Sequence, residues 1–184
     1  MLEGGALDVV SETKLLCLTI TSDCRWDANS KAIVLKGNSK LWFLRRLKLL
    51  GAKTDTLLDI YKLFCSSVLK FGAPVWSGAL SVKDKQNRER VQNNALRIIL
   101  GNCDDPYQTL LDEIQLDSLL DRRNTLCLGF ASKCLKSEKF NKWFPQGVGT
   151  RSGAHFLEPV TKTKRYRNSA IPHLTRLLNK ANIS

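Results

Sequence analysis

Apolar residues recur every three or four positions along most of this chain, which is the spacing of amphipathic helices. The exception is residues 14–22, KLLCLTITS, which predict one short strand before the turn-forming sequence TSDCRWDAN. Asp27 or Ser30 then stands where a helix N-cap is needed. This helix is expected to run to about Leu50, with Gly51 in the left-handed conformation that ends many helices.

Thr54 is expected to cap a second helix, which Gly72 and Pro74 break. Its apolar residues repeat every three or four positions and predict a buried face. The residues of this predicted face are Leu57, Tyr61, Phe64, Val68 and Phe71.

Serine caps and a glycine stop predict the remaining helices. Ser81 begins a helix that ends at Gly101, and Ser118 begins another of similar length. Short helices are predicted after Pro106 and around Pro172. The predicted fold class is mainly α: a small helical bundle with one or two short N-terminal strands and an extended basic C-terminal segment.

The pattern also predicts a division of the chain into four parts. Residues 1–13 form a leader, residues 14–26 contain the strand, and residues 27–143 form the helical domain. Residues 144–184 form a basic extension with a short final helix. The first part of this extension, residues 145–168, is rich in turn formers and cations and is expected to be poorly packed and disordered.

The segment KLWFLRRLKLLG, residues 40–51, is compatible with several functions. On a helical wheel at about 100° per residue, Trp42 and Leu49 lie among the cations Arg45 and Arg46. The opposite arc is a predicted core stripe of Ile33, Phe43, Leu44, Leu47 and Leu50. A membrane-surface helix would separate its apolar and cationic faces, so this arrangement disfavours a membrane partner.

Two interpretations of the same helix remain. The helix packs on two sides while its arginines extend into solvent. Alternatively, Arg45 and Arg46 bind phosphates and Trp42 packs or stacks nearby. The third helix has a comparable face, because Lys83, Arg90 and Arg97 recur every seven residues. Asparagines and glutamines beside them could donate to phosphate oxygens, although a solvated face has the same pattern.

The charge balance favours a polyanionic partner. The chain has 184 residues, with 29 Lys and Arg against 17 Asp and Glu, for a net charge of +12. Such a field attracts nucleic acid or an anionic membrane. A hydrophobic content of 43% is enough for a core. No segment approaches the roughly 20 apolar residues of a membrane span, and the N-terminus does not resemble a signal peptide. An intracellular location, nuclear or cytoplasmic, is expected.

Metal, cofactor and catalytic motifs are not found in the sequence. The six cysteines form no CxxC pair and are expected to be buried reduced thiols, so no metal site is predicted. The adjacent carboxylates Asp104 and Asp105 lie in a predicted loop before Pro106. Both histidines, His155 and His173, are far from a candidate nucleophile, and no phosphate-binding loop is present. We therefore expect no cofactor, no catalytic residue and no autonomous enzyme activity.

Six segments follow one another in order along most of the chain: KLLCLTITSDCRWD, KLWFLRRL, LLDIYKLFCSSVLKFGAPVW, RERVQNNALRIILG, LDSLLDRRNTLCLGFASKC and TRSGAHFLEP…RYRNSAIPHLTRLLN. In this order and spacing they resemble the carboxyl-terminal part of reverse transcriptases of jockey-like non-LTR (LINE-type) retrotransposons. The resemblance extends from about Lys14 to about Asn179.

In that family, this region closes the catalytic palm with a strand and then forms an α-helical thumb and a post-thumb extension. The resemblance implies that residues 14–26 are a palm-edge strand and residues 27–143 a thumb-like domain. Thumb helices hold the template–primer duplex. The implied contacts with RNA or an RNA–DNA duplex are Lys40, Arg45, Arg46, Lys48, Lys83, Arg90 and Arg97.

The chain also departs from the family. The catalytic carboxylates of the family, including its Tyr-x-Asp-Asp box, lie upstream of the matched region, and Cys17 stands where glycine is usual. The resemblance therefore implies a truncated, non-catalytic fragment that binds RNA or RNA–DNA duplex without sequence preference and packs on a palm in the parent protein. The alternative is a protein-interaction module, or the non-functional product of a decayed element, with no specific nucleic-acid binding.

Overall fold

The chain is mainly helical with one two-stranded antiparallel sheet, as the sequence predicts. The computed structural model describes residues 9–101, 104–147 and 155–182. The strands are β1 (Glu12–Leu15) and β2 (Leu18–Thr21). The α-helices in these ranges are α1 (Asp27–Leu49), α2 (Thr54–Ile60), α3 (Ser66–Lys70), α4 (Ala73–Trp76), α5 (Val82–Leu100), α6 (Tyr107–Glu113), α7 (Leu119–Leu135), α8 (Lys164–Arg167) and α9 (Ala170–Asn182).

The N-terminal strand is a hairpin and not one continuous strand. Leu15 pairs with Leu18, and the two residues between them, Leu16 and Cys17, have φ values of 46° and 65°. Two consecutive left-handed residues form the tight turn that joins antiparallel strands. The predicted strand over residues 14–22 is therefore interrupted at its centre. Strand β1 begins at Glu12, and residues 1–8 of the predicted leader lie outside the described residues.

Helix α1 ends as predicted, and three of its five predicted core residues, Ile33, Leu44 and Leu47, lie in or against the core. Gly51 has a φ of 82°, as expected for the residue that stops the helix. The buried apolar residues are Ile33, Leu41 and Leu44, whereas Phe43 and Leu50, both predicted to be core, are exposed. The reason is the position of α5, which packs on the side of α1 that carries Gly37 and Leu41.

Gly37 allows the close approach of this packing. A Cβ atom at Gly37 would lie 2.9 Å from Leu69 Cδ2 and 3.2 Å from Val91 Cγ1. The absence of a side chain therefore lets α1 contact α3 and α5 at one point.

A π-helix between α2 and α3 (Tyr61–Cys65) changes the face that the second helical segment buries. The buried residues are Leu57, Tyr61, Cys65 and Leu69, whereas the predicted core residues Phe64 and Phe71 are exposed. Residues exactly four apart drift around an α-helix of 3.6 residues per turn. A π-turn contains one residue more than an α-turn. It therefore corrects this drift and keeps the four buried residues on one side of the segment.

The caps predicted at Ser81 and Ser118 are confirmed, whereas those predicted at Asp27 or Ser30 and at Thr54 are wrong, because α1 follows Trp26 and α2 follows Lys53 without a side-chain cap. The Ser81 side chain accepts a hydrogen bond from the Asp84 backbone N–H at the start of α5, and Ser118 does the same for Asp121 in α7. Gly101 ends α5 with a φ of 83°. These local signals set the length of the two helices that cross the core.

The C-terminal segment contributes to the main core and is not a loosely attached tail. Phe156, Leu174 and Leu178 belong to the same apolar cluster as α1, α5 and α7, and α9 packs against α7. An isolated bridge joins Gln146 to Phe156. The prediction of poor packing is thus wrong for Phe156. The part of the predicted disorder at residues 148–154 lies outside the described residues.

Candidate nucleic-acid interface

Helices α1 and α5 lie side by side and run in the same direction. Gly37 faces Val91 near the middle of the pair, and the Lys48 ammonium donates a hydrogen bond to the Ile99 carbonyl near the C-terminal ends. Both helices bury the face that points to the shared core. Their outer faces are therefore adjacent, and Arg90 on α5 also borders the cavity that faces α6 and α7.

The outer face of α1 presents cations around an exposed aromatic ring. Arg45 and Arg46 are exposed, and the Trp42 side chain is 63% exposed. The Arg46 guanidinium carbon lies 5.9 Å from the centre of the Trp42 ring, within the range of a cation–π contact. This pair leaves the guanidinium edge free to bind an anion.

The outer face of α5 carries the predicted stripe of cations. Lys83 and Arg90 are exposed, while Arg97 is partly buried at the C-terminal end. The Arg97 Nε is buried without a hydrogen-bond partner among the described residues. These side chains lie opposite the buried residues Val91, Ala95 and Ile99. Because seven residues make about two helical turns, Lys83, Arg90 and Arg97 lie on the same side of α5.

Two of the seven predicted contacts have other neighbours. The Lys40 ammonium lies 5.0 Å from the centre of the Phe64 ring, on the side of α1 that faces the π-helix. Lys48 is partly buried, and its ammonium binds a carbonyl of the last turn of α5. A cation at this position complements the helix dipole of α5. We use the name α1–α5 surface for Trp42, Arg45, Arg46, Lys83, Arg90 and Arg97.

Acidic side chains are few on α1 and α5. Helix α1 has no acidic residue after Asp27. On α5, the Asp84 carboxylate accepts a hydrogen bond from the Ser81 hydroxyl, and the Glu89 carboxylate accepts from the Tyr107 hydroxyl at 2.7 Å. Neither hydrogen bond removes the negative charge of the carboxylate, but α1 and α5 together carry eleven Lys and Arg against three acids, so cations are in excess on the two helices.

A buried polar cluster beneath the interface holds α5 against α6 and α7. Glu89 accepts hydrogen bonds from the Tyr107 hydroxyl and from the Leu119 backbone N–H, and its carboxylate lies 3.7 Å from an Arg123 nitrogen. Arg123 is completely buried. These polar groups line a cavity of about 570 Å³ together with Arg90. The cavity therefore lies between the buried contact of Glu89 with Arg123 and the exposed side chain of Arg90.

A second buried arginine lies close to this cluster. The Arg88 guanidinium stacks over the Trp76 ring at 4.0 Å and donates a hydrogen bond to the Leu69 carbonyl at 3.2 Å. Burial, together with repulsion from Arg123, lowers the pKa of Arg88 to about 9. Sequence reasoning missed both arginines, because each stands in a charged run that is typical of a solvated face.

The adjacent carboxylates of the sequence occupy an irregular connection. Asp104 is exposed and Asp105 partly buried, just before α6 begins at Tyr107. Across residues 9–101, 104–147 and 155–182, no group of three or more His, Cys, Asp or Glu side chains is arranged to hold a metal ion.

Within the same ranges, no helix has the length and apolar character needed to cross a bilayer. Comparison of the chain with protein-family models, curated proteins and solved structures gave no match. A function for this chain is therefore inferred from the α1–α5 surface and from the resemblance of its ordered segments.

Proposed function

We propose that this chain corresponds to the thumb and post-thumb region of a jockey-like non-LTR retrotransposon reverse transcriptase and that it binds RNA or an RNA–DNA duplex without catalysing a reaction. The observation that carries the proposal is the α1–α5 surface. Five cations and an exposed tryptophan lie on the adjacent outer faces of two parallel helices, and these helices carry eleven Lys and Arg against three acids.

The mechanism is neutralisation of phosphates by fixed cations. Lys83 and Arg97 are two heptads apart, or about 21 Å along the helix axis, and this length corresponds to more than half of one duplex turn of about 34 Å. Each phosphate contact releases condensed counterions, so the affinity falls as the salt concentration rises. Contacts of this kind set the position of the duplex but read no base sequence.

Trp42 adds an apolar contact to this surface. Its ring is largely exposed between Arg45 and Arg46, so it can pack against a sugar or stack on an unpaired base. The resemblance assigns the catalytic carboxylates of the parent enzyme to a palm upstream of the matched region. The role of this chain is accordingly to hold nucleic acid.

A titration of a fluorescent RNA–DNA hybrid at several KCl concentrations tests the proposal. With four or five phosphate contacts, the slope of log K against log[salt] is expected to be about −4. The double variant Arg45→Gln/Arg46→Gln should make this slope shallower by about 2, since each contact contributes about 0.9. Two hybrids of unrelated sequence should bind equally.

The matched control replaces the same number of cations elsewhere. Lys133 and Lys136 are exposed at the C-terminal end of α7, outside the α1–α5 surface. Lys133→Gln/Lys136→Gln lowers the net charge by the same amount and is expected to leave the slope nearly unchanged. Equal effects of the two double variants, or no binding at low salt, would show that the α1–α5 surface is not the binding site.

A further inference from the structure

A groove with aromatic walls runs beside the α1–α5 surface, between α1 and the segment from the π-helix to α3. Its walls contain Phe43, Phe64 and Phe71, which are 44%, 55% and 50% exposed. The rings of Phe43 and Phe64 contact each other, with centroids 6.4 Å apart, and form the floor of the groove at this end, over which an incoming helix would lie. At the end near the hairpin, the groove widens into a cavity of about 290 Å³ lined by Ile33, Lys36, Ser67, Val68 and Phe71. We call it the aromatic groove.

The dimensions of the groove suit one helix. Its α1 wall extends from Ile33 to Phe43, or about 15 Å at 1.5 Å per residue, which corresponds to three turns. Its walls are antiparallel, because Phe43 lies opposite Phe64 whereas Gly37, earlier in α1, lies opposite Leu69. Two adjacent helices form a depression into which the apolar stripe of a third helix packs.

The π-helix exposes aromatic surface that the core does not use. It keeps Tyr61 and Cys65 buried while Phe64 turns toward the groove and Leu63 is 70% exposed beside it. π-turns are rare and occur often at functional sites. Contiguous exposed apolar surface of this kind marks interaction sites in folded proteins.

The charges along the groove indicate the charge of the partner that it binds. Lys36 is exposed at the cavity, and the Lys40 ammonium lies over the Phe64 ring. The acids of α2, Asp55 and Asp59, lie beyond Phe64, toward the C-terminal end of α1. The part of the groove from the cavity to Phe64 therefore combines apolar walls with lysines.

We propose that the aromatic groove binds an acidic amphipathic helix of another protein. The apolar side chains of that helix pack on Phe43, Phe64 and Phe71, and its carboxylates pair with Lys36 and Lys40. A second copy of this chain fits less well, because two molecules of net charge +12 repel each other. This inference concerns a different face from the nucleic-acid interface and does not depend on it.

The test uses designed peptides of about 14 residues, a length that forms helix in water only marginally and gains helicity when bound. One peptide carries Leu and Phe at positions i, i+3, i+4 and i+7 with glutamates elsewhere. A second has lysines in place of the glutamates, and a third has the acidic composition in scrambled order. Fluorescence anisotropy at 0.15 M salt is expected to show at least about tenfold tighter binding of the first peptide than of the other two, as each tenfold step is about 1.4 kcal/mol.

Variants locate the site and separate it from the nucleic-acid interface. Phe64→Ser and Lys36→Glu/Lys40→Glu should each weaken binding of the acidic peptide about tenfold or more, equivalent to about 1.4 kcal/mol. The double charge reversal should also improve binding of the lysine peptide. Val160→Ser, which replaces an apolar residue that is 91% exposed outside the groove, should have no effect. All variants should retain a cooperative thermal transition, and the charge-neutral variants Phe64→Ser and Val160→Ser should also retain the affinity of the protein for the RNA–DNA hybrid.

Several results would overturn the proposal. Equal binding of the scrambled and patterned peptides would show that only charge matters. Concentration-dependent dimerisation that Phe64→Ser abolishes would make a second copy the occupant. Binding to phosphatidylserine vesicles that is lost in the same variant would identify a lipid surface instead.

Discussion

The buried Glu89–Arg123 pair gives the sharpest test of how the interior holds α5 in place. Arg123 has no exposed surface, and the carboxylate of Glu89, which is 23% exposed, lies 3.7 Å from an Arg123 nitrogen. Glu89→Gln retains a carbonyl oxygen that can accept from Tyr107 or Leu119 but removes the negative charge. The substitution therefore isolates the electrostatic part of the contact.

The magnitude follows from leaving a buried cation without a counter-charge. Breaking a buried ion pair by removing one partner costs about 3–5 kcal/mol. Because Glu89 is partly exposed and lies 3.7 Å from Arg123, we expect the lower end, about 3 kcal/mol. This loss is a large fraction of the roughly 5–15 kcal/mol that stabilises a typical domain. It should lower Tm by about 6–12 °C for a chain of this length.

A double-mutant cycle in urea measures the coupling. Arg123→Met removes the buried charge with similar volume, so Glu89→Gln in the Arg123→Met background should cost about 1 kcal/mol or less. The change in the free energy of unfolding is obtained from the urea midpoints at a constant m-value. Additive effects of the two substitutions would refute the reasoning, because they would show that the charges of Glu89 and Arg123 do not interact.

Three further predictions concern backbone fit and pH. Cys17→Gly should raise the free energy of unfolding by about 0.5–1 kcal/mol in urea melts, since Cys17 has a φ of 65° in the hairpin turn and non-glycine residues are strained there. An unchanged urea midpoint would contradict this turn conformation. Gly78→Ala should destabilise by about 1–3 kcal/mol, because its Cβ would lie 2.5 Å from the Cβ of His173 and 2.8 Å from a backbone oxygen, and calorimetry should show a lower Tm. Burial first, with repulsion from nearby cations, lowers the pKa of His173 to about 4 in the folded protein. Its protonation thus favours the unfolded chain, and stability should fall as the pH drops from about 6.5 to about 4, by about 1–2 kcal/mol at pH 5. His173→Gln should reduce this slope relative to the parent, and identical pH profiles would disprove the assignment.

Local signals in the sequence predicted where most helices begin and end. Ser81 and Ser118 cap α5 and α7, and Gly51 and Gly101 follow α1 and α5 in the left-handed conformation. These features depend on hydrogen bonds and φ angles within a few residues, which the sequence specifies directly. The mainly helical fold class follows from the same local patterns.

The buried faces could not be predicted to the same accuracy. A wheel with a uniform turn put Phe64 in the core, but the π-helix buries Cys65 instead. On α1, the uniform wheel chose Phe43, whereas the approach of α5 at Gly37 buries Leu41. Both differences arise from contacts between elements distant in sequence, and the two displaced phenylalanines form the aromatic groove.

For the candidate interface, the sequence by itself determined the cations, their spacing and the absence of acids along α1. Only the tertiary structure decided which of them share a surface: Arg45, Arg46, Lys83, Arg90 and Arg97 are brought to one side, while Lys40 and Lys48 contact Phe64 and α5. It also decided that Arg88 and Arg123 are buried. The physical reason is that a charge in the sequence has no environment until packing sets its neighbours, its solvent exposure and its distance from an opposite charge.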